Sequence, residues 1–117
     1  MKPVHKFFLL TGAMLLSSIT VSQAQINHAK TATVHVWGNC GMCETTIETS
    51  ALKKNEAQAD WNKQTKMAVI TYDSTKTELK DVLKRIADAG YDNEMYTAPD
   101  KAYAKLHMCC QYERKPE

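Results

Sequence analysis

The chain is short of the residue patterns on which most enzyme chemistry rests. It has four glycines in 117 residues, and they form no glycine-rich loop to cradle a phosphate. There is no Ser/His/Asp set and no paired-carboxylate cleft signature, so hydrolytic and phosphoryl chemistry have nothing to stand on. No internal repeat or low-complexity stretch interrupts it. It also lacks a membrane-spanning run. Phe7 to Val21 is rich in Phe, Leu, Met and Ile, but it falls short of the ~20 residues a spanning helix needs, and Ser17, Ser18 and Thr20 dilute it.

That apolar run follows Lys2 and Lys6 and precedes Ser22-Gln23-Ala24, with small residues at −3 and −1 of a cut after Ala24. The pattern predicts a secretory signal peptide over residues 1–24, and a periplasmic or secreted protein. No cysteine lies near the cut, which argues against a lipid anchor. Cleavage removes two lysines and leaves thirteen basic residues against thirteen acidic ones. A chain with no net charge is a poor nucleic-acid partner, because phosphate binding rests on a basic face. What remains, 25–117, suffices for one small core.

All four cysteines survive the cut: Cys40, Cys43, Cys109 and Cys110. An oxidising compartment favours pairing, yet one pair is C-x-x-C and the other adjacent. Neither closes a long loop, so neither restricts the unfolded chain much.

Residues 25–30 read as a flexible lead. Thr31 to Val36 alternates, with Ala32, Val34 and Val36 on one face, as in a half-buried strand. A helix is expected from about Cys43 to Lys54, with Asn55 as a left-handed terminator. Ala57 to Asn62 reads as a second strand, Asn62 to Thr65 as a turn, and Met67 to Tyr72 as the strongest strand. A capping box from Thr75 to Glu78, with Thr77 as competing cap, opens a second helix marked by Leu79, Val82, Leu83 and Ile86 and closed by Gly90. Asn93 to Thr97 supplies a last short strand. The order βαββαβ predicts an α+β, ferredoxin-like sandwich over 31–97: a four-stranded antiparallel sheet with two helices on one face. Residues 98–117 form a tail, with a short helix from Asp100 to about Leu106.

The C-x-x-C sits where a loop enters a helix. There the dipole and the unpaired N–H groups lower thiol pKa and stabilise a bound thiolate. Two thiolates suit a soft ion of low coordination number, Cu(I) or Hg(II), whereas Zn(II) needs further ligands. C-x-x-C also marks thiol-disulfide oxidoreductases. Against that, Gly38 and Asn39 separate Trp37 from Cys40, little chain is left for a thioredoxin sheet, and no proline stands where a cis-Pro loop would be.

Two blocks, "VHVWGNCGMC" with Ile47-Glu48 and "KMAVITYDSTKTELKDVLKRIADAGY", resemble the heavy-metal-associated domain family, and within it the periplasmic mercury-binding branch. The resemblance covers about residues 31–96. It implies metal transfer by thiolate exchange, with Cys40 and Cys43 as ligands, to a membrane metal transporter or another metal-binding domain, and no enzymatic activity. The family usually places Gly-Met-Thr before the first cysteine, its Met buried under the loop. Here Gly38-Asn39 stand instead, and Trp37 or Met42 is expected to fill the space. Tyr91 stands where eukaryotic copper chaperones carry Lys.

The tail offers His107, Cys109 and Cys110 as further ligands. Folded back, one or two of them would complete a three- or four-coordinate site and admit Zn(II) or Cd(II). Left disordered, the vicinal thiols would oxidise or bind an ion alone. Tyr103, Leu106 and Met108 are the expected anchors for docking. His35, His28, Met67 and Met95 read as surface or packing residues, and Trp61 as an anchor of the second strand.

Overall fold

A computed structural model describes residues 25–117, so the expected signal peptide at 1–24 lies outside the described residues. The pleat of three strands, β1 (Ala29–His35), β2 (Ala57–Trp61) and β3 (Met67–Asp73), aligns their small and branched residues. The strands form an antiparallel sheet in the order β1-β3-β2. Ala68 faces Val34 on one side and Trp61 on the other, and Ile70 faces Ala32 and Ala59. These alternating positions build the buried face.

Two helices complete the core. α1 (Gly41–Ala51) buries Cys43, Ile47 and Ala51, one stripe at i, i+4, i+8. α2 (Leu79–Asp88) buries Val82, Leu83, Ile86 and Ala87. Arg85 ties the helices together. Its guanidinium donates to the carbonyls of Ser50 and Ala51, at 3.3 and 2.8 Å, where α1 has run out of its own donors. Among the described helices none is long and apolar enough to cross a membrane.

The expected four-stranded sheet is wrong: the described residues carry three strands. Around Asn93 the backbone meets β1's continuation at one isolated bridge, Val36 with Asn93. Side chains take the bonds a fourth strand would have made. The Asn93 Oδ1 accepts the N–H groups of Met95 and Tyr96, both at 3.1 Å, curling the chain into a local turn. At the free edge of β1, the N–H of His35 donates to a carboxylate oxygen of Glu94. Asn and Asp side chains compete with backbone ladders in this way.

The expected capping box is also absent. Thr75 turns back on Asp73, its hydroxyl and N–H both donating to Oδ1, and α2 begins later with Glu78 as its N-cap. Gly90, by contrast, closes α2 as expected, at φ +112°. A Cβ there would lie 3.0 Å from the Ala102 carbonyl and from Leu106, so its bareness also admits the tail.

The tail is docked. α3 (Asp100–Ala104) leads to a single 3-10 turn, Met108–Cys110, against α1. Tyr112 is buried. Its hydroxyl donates to the Gly90 carbonyl and accepts from the Asp92 N–H, both at 2.7 Å. Arg114 grips the buried Asp92 carboxylate through both oxygens, at 3.1 and 2.8 Å, and lies over the Tyr103 ring. Tyr103 and Leu106 pack on the core as expected, but Met108 is 89% exposed and anchors nothing.

Candidate metal centre

The chain leaves β1 through Val36 and turns over the indole of Trp61. The Trp61 Nε1 donates to the Val36 carbonyl at 2.9 Å. A Cβ at Gly38 would sit 3.0 Å from the indole ring and 3.3 Å from the Cys43 Cβ, so glycine lets the loop lie flat on this platform. The space under the loop is thus filled by Trp61, not by Trp37 or Met42. Trp37 stacks on His35 with ring centroids 3.8 Å apart, and Met42 is about half exposed.

Cys40 is the N-cap of α1, in an extended conformation at φ −139°, and Cys43 lies in the helix's first turn. The open N–H groups of that turn bear on the Cys40 sulfur. Chiefly through the N–H of Cys43, opposed by partial burial and aided by the N–H of Met42 and the neighbouring thiols, the Cys40 pKa falls to about 7. Cys43 is fully buried, and its sulfur accepts the N–H of Asn39 at 3.3 Å.

The third sulfur comes from the tail. The 3-10 turn brings the Cys110 Sγ to 3.7 Å from that of Cys40, the same distance that separates Cys40 from Cys43. All three sulfurs lie within 4.8 Å of one another. A point equidistant from them is then roughly 2.1–2.4 Å from each, which is the ~2.3 Å length of a zinc–thiolate bond. Burial, reinforced by the adjoining thiols of Cys43 and Cys40, pushes the Cys110 thiol well up. Tyr91 closes the inner wall. It is fully buried, its hydroxyl has no hydrogen-bond partner among the described residues, and it faces the sulfurs of Cys43 and Cys110. Burial first, and these thiols next, raise its pKa strongly.

The other tail candidates stand apart from this group. Cys109 is exposed; its sulfur lies 3.5 Å from the Met42 sulfur and 3.9 Å from that of Cys110, and its carbonyl accepts from the Cys40 thiol. His107 is exposed at the start of the 3-10 turn and is not among the three clustered thiols. All four cysteines are free thiols.

Sequence reading missed the residues that hold Cys110 in place: Asp92, Tyr112 and Arg114. The signal available was an aromatic and an arginine two residues apart, just past the Cys-Cys pair.

No protein-family model matches the chain, and no curated protein matches it. Two solved structures do. One is the solution structure of a Bacillus anthracis strain Ames protein named for copper-ion binding, 33% identical, with TM-score 0.53; the match covers 58% of this chain and 99% of that one. The other is a CopZ metallochaperone, 26% identical, with TM-score 0.51, covering 55% of this chain and 98% of its own. With 99% of the first relative covered at 33% identity, the domain belongs to the same protein family as that Bacillus anthracis protein.

Proposed function

We propose that this chain is an exported carrier of a soft, thiophilic metal ion, a member of the heavy-metal-associated domain family, and not an enzyme. Cys40 and Cys43 capture the ion, and thiolate exchange passes it on. The observation that carries this reading is the convergence of free thiols on the positive end of α1, with one of them drawn down to about 7. With its pKa near 7, Cys40 is about half thiolate at neutral pH, and it presents a nucleophilic sulfur to a metal held elsewhere. Cu(I) is the favoured cargo. It accepts two or three thiolates, and the similar solved structures are named for copper binding and metallochaperone function. Hg(II) shares the ligand chemistry. Zn(II) or Cd(II), which prefer four ligands, are poorer fits to three clustered sulfurs.

The acceptor is a membrane metal transporter or a second metal-binding domain, reached by forming a bond from its thiolate to the ion as one bond from this chain breaks. With the signal peptide expected at 1–24, we infer that this exchange takes place in the periplasm or outside the cell.

The lowered Cys40 pKa also favours a second reading, a small thiol-disulfide oxidoreductase, because the attacking thiol works best with a pKa near ambient pH. The buried third thiol beside the pair weighs against it.

Competitive titration of the reduced protein with Cu(I), Hg(II) and Zn(II), followed by native mass spectrometry, separates the readings. The carrier binds one soft ion per chain, and Cys40→Ser loses it. An oxidoreductase turns over insulin disulfides with no metal present.

A further inference from the structure

The carrier reading needs only Cys40 and Cys43. The structure adds a third thiol, delivered by the docked tail at 98–117, together with an unpartnered buried hydroxyl aimed at it. Resting on the carrier reading, we propose that Cys110 is a third thiolate ligand, and that the docked tail is a latch which retains the ion until an acceptor displaces it.

The geometry is of a built site. Cys110 is 3% exposed, and its sulfur sits against Cys40 at 3.7 Å without a covalent bond. The thiols of Cys43 and Cys110 are buried and that of Cys40 is partly so, and all three converge with none in a disulfide. A thiophilic ion at their centre would bond to all three sulfurs at once. Tyr91 strengthens the point: its fully buried hydroxyl lacks an acceptor among the described residues, and a metal-bound thiolate at Cys43 or Cys110 is a far better acceptor than a thiol. Loading forms three metal–sulfur bonds. The protons of whichever thiols are still protonated leave to solvent, and no electrons change hands. On release, an acceptor thiolate bonds to the ion as Cys110 departs and regains a proton.

The latch lies away from the sulfurs. Arg114 on Asp92, Tyr112 on Gly90 and Asp92, and Tyr103 on the Tyr112 carbonyl fix the strap. Loosening any of these contacts lets Cys110 withdraw while Cys40 and Cys43 keep their hold. An open two-sulfur site exchanges quickly; a latched three-sulfur site holds its cargo longer.

The test uses the reduced protein loaded with one equivalent of Cu(I). X-ray absorption counts the sulfurs, and transfer to a chromogenic Cu(I) chelator gives the release rate. The proposal expects three sulfurs in the wild type and two in Cys110→Ser, which still binds one ion but releases it roughly tenfold faster or more. Arg114→Ala, with every sulfur intact, also speeds release, whereas Cys109→Ser does not. Two sulfurs in the wild type, or release unchanged in both Cys110→Ser and Arg114→Ala, overturns the proposal and leaves the carrier standing. A wild type that binds no Cu(I) overturns the carrier reading itself.

Discussion

Two segments bring sulfur to one point by opposite means. The loop at 38–43 places Cys40 and Cys43 by local rules: a glycine over an indole, an extended N-cap and the first turn of α1. The tail places Cys110 by long-range ones: a buried carboxylate, an arginine and a tyrosine hydroxyl that bridges back across twenty or more residues. Local placement is rigid and cannot be removed without unmaking the helix start. Long-range placement is modular, because it can be undone at its anchors while the domain stays folded. In the proposed carrier, the difference separates capture by the loop from retention by the tail.

Breaking the loop carries the largest effect. Cys40→Ser abolishes Cu(I) binding in a chelator competition, whereas Cys110→Ser weakens it; equal losses would erase the distinction between the segments. Next come the anchors. Arg114→Ala leaves the Asp92 carboxylate, itself 0% exposed, without its cation, and lowers stability by about 2 kcal/mol in urea unfolding. Hydrogen exchange in that variant rises over residues 98–117 and stays near wild type over β1 to β3. Exchange rising uniformly would mean that tail and domain unfold as one unit. Gly90→Ala works from the other side. At φ +112° and with a Cβ 3.0 Å from the Ala102 carbonyl and Leu106, the alanine strains the backbone and lifts α3, costing about 1–3 kcal/mol.

A smaller effect is set by pH. Burial alone would raise the Asp92 pKa, but the Arg114 guanidinium and the N–H groups of Ala98 and Lys115 outweigh it and hold the carboxyl below its usual range. A group depressed in the folded state contributes stability that is present above its unfolded value, near ~3.9, and lost as pH falls through the folded one. The tail therefore undocks under acid as pH drops below about 4, and Asp92→Asn shows a flatter profile over that range. Tyrosine fluorescence and exchange at Cys110 follow it.

The same contrast explains what the sequence disclosed. β3 and the buried stripe of α2 are written in local periodicity, and Cys40 and Cys43 in a spacing at a strand-to-helix turn, so both are legible. The fourth strand misled because residues 93–97 have room for extended chain, while the Asn93 and Glu94 side chains take the backbone bonds that a strand requires. The Thr75 cap misled for a similar reason: Asp73, two residues earlier, is the stronger partner for its hydroxyl. The platform under the cysteine loop is expected nearby, at Trp37 or Met42, but comes from Trp61 on another strand. Docking of the tail turned on Tyr112 and Arg114, whose partners Gly90 and Asp92 lie twenty or more residues back, a distance that no periodicity spans.

The central claim is that one ion is held jointly by sulfurs from both segments. Residue-specific carbon NMR of the reduced protein, labelled at cysteine Cβ, tests it most directly on addition of one equivalent of Cu(I). The account predicts that the Cys40, Cys43 and Cys110 signals move together and saturate at one equivalent, while Cys109 stays. Cysteine signals that do not respond to the metal, or that respond at Cys109 and Cys110 alone, would contradict it.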